Sequence, residues 1–447
     1  MRRKYKNVVV AILMAFGIGF AISNAYATPV NGAGQASARQ DQLDQLFKNY
    51  QQAEQDYREA LKARGNGEAS KGIARKLRTQ LFNRYAVLGK QAMELARDYP
   101  RDQVAFDAML FSLRYGSPFI NEVCIYLRQY HIRNDNLHLF FPELLQQGAD
   151  YKSCEQLYVG AVRAGSTAEV RDLARWHAAS LYARLVTLSS NVREFRTNVF
   201  GYLISSVWGD NSEQVPDQLI NDLRAQSQRL EMLISVDPNS MRLMALSWLD
   251  GMESEHLRSS RYVISDGKIE IKKHGELKLH VDLLSDRLKS FIPGVVAADF
   301  GATNYEGEPV SFAPYRGKVI LLDFWASWCE PCLANLEKNK KMMAEMKDRP
   351  FEVIAINLDE DIDLAKSFSE PLTGGFVEWH KKPNENPSIW AKLGINEIPT
   401  LVVIDHNGVI RSIPKIYGSR MEVYLNRLVH EAQRDANTAK AAVTAMK

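Results

Sequence analysis

An apolar run, Val319-Ile320-Leu321-Leu322-Asp323-Phe324-Trp325, leads into Trp328-Cys329-Glu330-Pro331-Cys332, and a helix-like segment follows. No other stretch of the 447 residues constrains the fold as strongly. A C-x-x-C at a strand-to-helix junction puts its first sulfur at a helix N-terminus, where unpaired N–H groups and the helix dipole favour a thiolate. The spacing also lets the second sulfur reach the first and close a disulfide after one exchange step.

Three features agree with that reading. Asp323 interrupts an otherwise apolar strand six residues before Cys329, and a buried carboxylate is costly unless it has a role. Ile398-Pro399-Thr400 directly precedes the apolar run Leu401-Val402-Val403-Ile404. Proline belongs at a strand start, and an X-Pro bond adopts the cis form at little cost. The expected element order is strand, C-x-x-C helix, strand (Val353 to Ile356), helix, Pro-led strand, Asn407-Gly408 turn, strand and final helix.

On these residues the region from about Pro293 to Arg434 resembles the thioredoxin fold, and within it the secreted TlpA/ResA-type thiol-disulfide oxidoreductases. Ala298-Asp299-Phe300 and Tyr315-Arg316-Gly317-Lys318-Val319 are similar to that family's leading hairpin and first strand, and Glu330-Pro331 to its inter-cysteine dipeptide. The 66 residues between Cys332 and Pro399 leave room for a central insertion of the family's kind. Asn335 and Glu337 depart from it, standing where the family often has a glutamate and a proline. Acid–base chemistry carried by that glutamate therefore does not transfer.

The resemblance implies a reductase of protein disulfides without a cofactor or metal. Cys329 is the expected attacking thiolate and Cys332 the resolving thiol. Asp323 is the expected base for Cys332, its affinity for protons raised by burial. Glu330 places a negative charge beside Cys329 and is expected to keep that thiol from becoming too acidic, which favours a reductant. Trp328, Pro331, Ile398 and Pro399 are the expected substrate contacts, an extended client pairing beside Pro399 as an added strand. Trp325 is expected either to flank the site or to pack. The implied partners are protein disulfides and a membrane thiol electron donor, with C-x-x-C-H thiols of cytochrome c maturation among the clients. A disulfide oxidase or isomerase, a peroxiredoxin-like peroxidase, and a helical interaction protein with an accessory thioredoxin module stay open as alternatives.

Residues 1–27 read as a signal peptide: a basic start (Arg2, Arg3, Lys4, Lys6), an apolar run from Val8 to Ile22, and Ala25-Tyr26-Ala27 as the cleavage signal. An uncleaved anchor facing the periplasm is the alternative to a periplasmic protein. Removing those residues takes away four positive charges, so the net charge of +3 becomes −1. Nothing in that balance favours nucleic acid.

The other two cysteines, Cys124 and Cys154, stand in helix-like segments. In an oxidising compartment they are expected to form a structural disulfide, with two buried thiols as the alternative. Residues 28–37 read as a flexible leader and 38–259 as a helical domain with apolar residues at helical spacing, from Leu43, Leu46, Phe47 and Tyr50 onward. Its breaks suggest helical hairpins, TPR-like in style, though no repeat of fixed period is visible. Its dense aromatics read mostly as core. Residues 260–292 read as a connector with a small hairpin about Gly275, 293–435 as the thioredoxin-like domain, and 436–447 as a polar tail. Asp359-Glu360-Asp361 reads as a loop capping the next helix. The fold class is thus multidomain: an all-α N-terminal part followed by an α/β thioredoxin-like part.

Overall fold

A computed structural model describes residues 32–63, 68–114, 119–147, 151–195, 227, 237–250, 252, 258–265, 268–300, 302–373, 376–381, 393–395, 397–414 and 419–445. The signal segment at 1–27 lies outside them. The chain is multidomain, a helical N-terminal region followed by a thioredoxin-like mixed sheet with helices. The described residues divide into two compact units. One holds residues up to Ala178 together with the hairpin to Lys278; the other holds Ala179–Asp250 and Leu279 onward.

The helical region runs α1 (Gly32–Ala63), α2 (Glu68–Asp98), α3 (Gln103–Arg114), α4 (Ile120–Tyr130), α5 (Phe141–Gln147), α6 (Tyr151–Ala164) and α7 (Ala168–Glu194). Helix α1 packs on α2, α2 on α3, and α4 on α6. In α2, Leu81, Tyr85, Leu88, Ala92 and Ala96 are buried, a stripe at three- and four-residue spacing that a helix turns to one side. Helix α3 is buried nearly all round, from Val104 to Leu113, as a helix at the centre of a core should be. Asp102 caps it by accepting from the Ala105 N–H at 2.8 Å. Helix lengths are unequal, from 7 to 32 residues, so no single hairpin unit repeats among the described residues.

Three expectations are corrected here. Helix α1 begins at Gly32, so residues 32–37 are its first turns and not a leader. Gln35 there accepts a hydrogen bond from the Tyr99 hydroxyl, and Gln35 and Ala36 are good helix formers. The hairpin is β1 (Arg258–Ser265) with β2 (Lys268–Glu276), antiparallel, Ser265 opposite Lys268. Asp266-Gly267, a strong two-residue hairpin dipeptide, stands between the strands, and Gly275 lies inside β2. The run expected as a second strand belongs instead to α9 (Leu277–Ser290), where Val281, Leu284 and Leu288 are buried at helical spacing. Third, Cys124 and Cys154 are not joined by a disulfide. They lie on α4 and α6, 2% and 1% exposed. Oxidising surroundings favour a bridge only where backbone geometry lets two sulfurs meet.

The other unit contains α8 (Pro238–Leu249), capped by Asp237 through the Ser240 N–H at 2.8 Å, then α9 and the main sheet. Its strands are β3 (Ala302–Thr303), β4 (Pro309–Val310), β5 (Val319–Trp325), β6 (Phe351–Asn357), β7 (Val377–Lys381), β8 (Thr400–Ile404) and β9 (Ile410–Ser412), in spatial order 4-3-7-6-5-8-9. Strand β5 runs parallel to β6 and antiparallel to β8. All seven of its residues are buried, as a central strand covered on both faces requires. Helices α10 (Glu330–Glu345), α11 (Ile362–Thr373) and α12 (Ser419–Ala445) complete this unit. Helix α12 runs on as an exposed helix through residues 436–445 of the expected polar tail.

The C-terminal half of α7 belongs to the same unit as the sheet. Asn191 pairs with the Ile413 backbone in both directions, donating to its carbonyl at 3.1 Å and accepting from its N–H at 2.9 Å. Glu194 accepts from Arg411 at 2.9 Å and from Arg427 at 2.8 Å. Phe195 packs against Tyr424, with ring centroids 4.8 Å apart.

Candidate functional site

Strand β5 delivers the chain to the site, and its period-two alternation decides which side chains face it. Ile320, Leu322 and Phe324 join one core with Phe291, Ile354, Ile356 and Trp379. Val319 and Leu321 join a second, opposite core with Met342, Met346, Leu401 and Tyr424. Trp325 packs in a smaller cluster with Cys329, Cys332, Leu336 and Ala355. By alternation Asp323 shares the face of Leu321 and Trp325, at the seam between those two clusters.

After Trp325 the chain turns. The Cys329 N–H donates to the Ala326 carbonyl at 3.0 Å, and the Cys329 carbonyl accepts from Cys332 at 2.9 Å and Leu333 at 3.1 Å. Cys329 is therefore the N-cap of α10, and Glu330 and Pro331 form its first turn, where a proline forfeits no hydrogen bond. Cys329 and Cys332 are disulfide-bonded, with Cα atoms 5.2 Å apart. Both are buried, Cys332 completely. Trp328, beside them, is 67% exposed, and Glu330 is exposed as well. Trp325 is wholly buried, so it packs and does not flank an open site.

Asp323 is fully buried. Its Oδ2 accepts from Asn339 Nδ2 at 2.7 Å, while Oδ1 has no partner among the described residues. Burial pushes the carboxyl up to about 8, and the Asn339 hydrogen bond pulls it part of the way back. That places it close to a thiol's ordinary value of about 8.5, where proton exchange between the two is nearly balanced.

The Ile398–Pro399 peptide bond is cis. The β5–β8 register sets Phe324 against Thr400, so Pro399 follows on opposite the end of β5 from which the cysteine loop departs. Ile398 packs against the cluster that holds Cys329 and Cys332.

One residue that shapes the site was read otherwise in the sequence. Asp361 does cap α11, accepting from the Asp363 and Leu364 N–H groups at 2.9 and 3.2 Å. Asp359, two residues earlier, is buried and holds the cysteine loop. It accepts from Ser327 N at 2.9 Å, Ser327 Oγ at 3.1 Å and Asn357 Nδ2 at 2.8 Å. His380, buried on β7, makes a 3.0 Å hydrogen bond through Nε2 to the Asp359 carbonyl. The only local hint was Asn357-Leu358-Asp359 at a strand end, a pattern common to many turns. Among the described residues no group of three His, Cys, Asp or Glu side chains is arranged to hold a metal, and no helix is long and apolar enough to cross a membrane.

Residues 317–410 match the family model described as thioredoxin-like. The thiol-disulfide oxidoreductase ResA of Oceanobacillus iheyensis is 30% identical over 152 residues, which cover 33% of this chain and 78% of that protein. The protein of the same name from Bacillus thuringiensis subsp. konkukian is 28% identical over 139 residues, 30% of this chain and 78% of the relative. Among solved structures, a thiol-disulfide oxidoreductase from Bacteroides fragilis is 26% identical. It covers 30% of this chain and 98% of its own, with a TM-score of 0.28. The helical N-terminal region is assigned to no family.

Proposed function

The C-terminal third of this chain belongs to the ResA family of thiol-disulfide oxidoreductases, and from that premise we propose that it reduces protein disulfides in an extracytoplasmic compartment. The observation that carries the reading is a bonded Cys329–Cys332 pair at a helix N-terminus, with a buried Asp323 on the strand beneath whose ionised form has a proton affinity raised toward that of a thiol. In the reduced enzyme the Cys329 thiolate attacks a client disulfide. One client sulfur leaves as a thiolate and takes a proton from water, while the other is bonded to Cys329. Cys332 then gives its proton to Asp323, bonds to Cys329, and expels the second client sulfur with its electron pair. The client has gained two electrons and the enzyme is left in its disulfide form. A membrane thiol donor returns the two electrons.

Glu330 in the first helical turn opposes extreme stabilisation of the Cys329 thiolate, which favours reduction over oxidation of clients. Trp328 supplies exposed aromatic surface beside the reacting sulfur, and Ile398 and Pro399 offer backbone for an extended client, with Pro331 at the rim. The signal-like segment supports a periplasmic setting, and C-x-x-C-H thiols of cytochrome c maturation are clients of the right chemistry. The helical region selects the partner.

The test is insulin reduction by the dithiol form, together with capture of clients by Cys332→Ser. Expected are turnover by the wild type and a stable mixed disulfide at Cys329 in the variant. A pair potential near −120 mV, that of a strong oxidant, overturns the reductase direction. Failure of the wild type to cleave any protein disulfide overturns the reading as a whole.

A further inference from the structure

Helix α10 carries an unusual buried face. Cys332, Asn335, Leu336 and Asn339 lie at positions i, i+3, i+4 and i+7, which a helix brings to one side, and all four are buried. Two primary amides in such a place are costly unless they are engaged. Among the described residues one side-chain hydrogen bond joins them to the carboxyl: Asn339 Nδ2 donates to Asp323 Oδ2. Asn335 Nδ2, Asn339 Oδ1 and Asp323 Oδ1 are buried without partners among the described residues. A polar track therefore runs along the helix from the resolving cysteine to the carboxyl.

We propose that Asn339 is a positioning residue for the resolving step: its amide holds Oδ2 of Asp323 and so leaves Oδ1 as the oxygen that takes the Cys332 proton, with Asn335 lining the way between them. The inference rests on the dithiol exchange proposed above, and its chemistry balances. Cys332 loses H⁺ to Asp323 Oδ1, and its electron pair forms the bond to Cys329. The bond from Cys329 to the client breaks with its pair on the client sulfur, and Asp323 later returns the proton to solvent.

Among the described residues Asn339 is the side chain that hydrogen-bonds Asp323. Asp323 is flanked in the sheet by Ala355 and Leu401. On the same face the titratable groups are Cys332 on α10 and Tyr424 on α12, whose hydroxyl is engaged with Ser412 Oγ at 3.1 Å. The charged pairs Lys318–Glu352 and Asp405–Arg411 sit at the other end of β5, beside Val319. What remains beside the carboxyl is burial, which disfavours its ionised form, and one N–H from Asn339, which favours it.

The experiment follows the Asp323 carboxyl carbon by NMR against pH in the oxidised, full-length protein, where Cys329 and Cys332 are bonded and do not titrate. Asn339→Leu removes the amide and keeps the volume. A hydrogen bond to a charged group contributes enough to move such an equilibrium about tenfold, so the Asp323 midpoint is expected to rise by that factor. Resolution of a mixed disulfide preformed on Cys329 should shift to higher pH in parallel, and the Asn339→Leu effect on that rate should vanish in an Asp323→Asn background. The wild type supplies a check that needs no variant: the Asn339 side-chain amide protons must titrate with the Asp323 midpoint. An unmoved midpoint, amide protons blind to pH, or an undiminished rate effect in the Asp323→Asn background overturns the proposal. Because the carboxyl titration is read in the resting protein, it separates this outcome from a failure to reduce clients.

Discussion

At the scale of single residues, Asp323 couples chemistry to stability. A carboxyl that folds with its proton held up to about 8, against an unfolded value near 4, favours the native state fully only at low pH. That contribution falls away as pH rises from about 4 through 8, by at most about 1.4 kcal/mol for each step of one in pH. Asp323→Asn removes the liability. Its melting temperature should exceed that of the wild type by a margin that widens from pH 5 to pH 9, while its resolving step slows and loses its pH dependence near 8. Thermal unfolding across that range, with stopped-flow resolution, checks both. Ser327 is the second residue to watch. Ser327→Ala deletes the 3.1 Å bond to Asp359 and should cost about 1 kcal/mol, lowering the denaturation midpoint while the backbone bond to Asp359 keeps the loop in place.

At the scale of elements, the end of α7 and β9 form one joint. Asn191 satisfies both backbone groups of Ile413 just beyond β9. Asn191→Ala orphans them and should cost about 2 kcal/mol, read as a lower urea midpoint for the unit that holds the sheet. The same elements show what the chain's own pattern discloses. The C-x-x-C, Asp323 and Pro399 were legible because each departs from the local rule of its element: thiols on a turn, a carboxylate in an apolar strand, a proline before one. Asp359 was not, since its partner Ser327 is 32 residues away and both look like ordinary loop residues. Asn335 stood out only as a departure from the family pattern and Asn339 not at all, because helical spacing does not say which face a neighbouring strand will bury. The turn was misplaced at Gly275 because the alternation on either side of it was weighted above Asp266-Gly267, the stronger hairpin dipeptide. Cys124 and Cys154 were misjudged since compartment chemistry says nothing about the distance between two helices.

At the scale of the whole molecule, the helical region has its own response to acid. His177 is buried against Phe141, Tyr158 and Trp176, and burial pushes its imidazole down to about 3. His138 is shifted the same way, by burial first. A histidine held neutral in the native state stabilises fully above its ordinary value near 6.5, and that advantage is lost as pH falls toward 3. The melting of the helical region should therefore drop between pH 6.5 and 4, and His177→Phe should flatten the drop, as calorimetry can test. The two regions thus answer pH in opposite senses, one weakened by acid through His177 and the other by base through Asp323.

The border between the compact units falls at Ala178–Ala179, inside an unbroken helix. A cut at residue 293 would discard Asn191, Glu194 and Phe195, leaving Arg411 and Arg427 without Glu194 and Tyr424 without the Phe195 ring. The redox module lifted out by its C-terminal sequence alone is therefore expected to unfold at lower urea than the same module carrying residues 179–195. Anyone grafting it onto another protein must carry along residues 179–195, a detachable peg from far upstream.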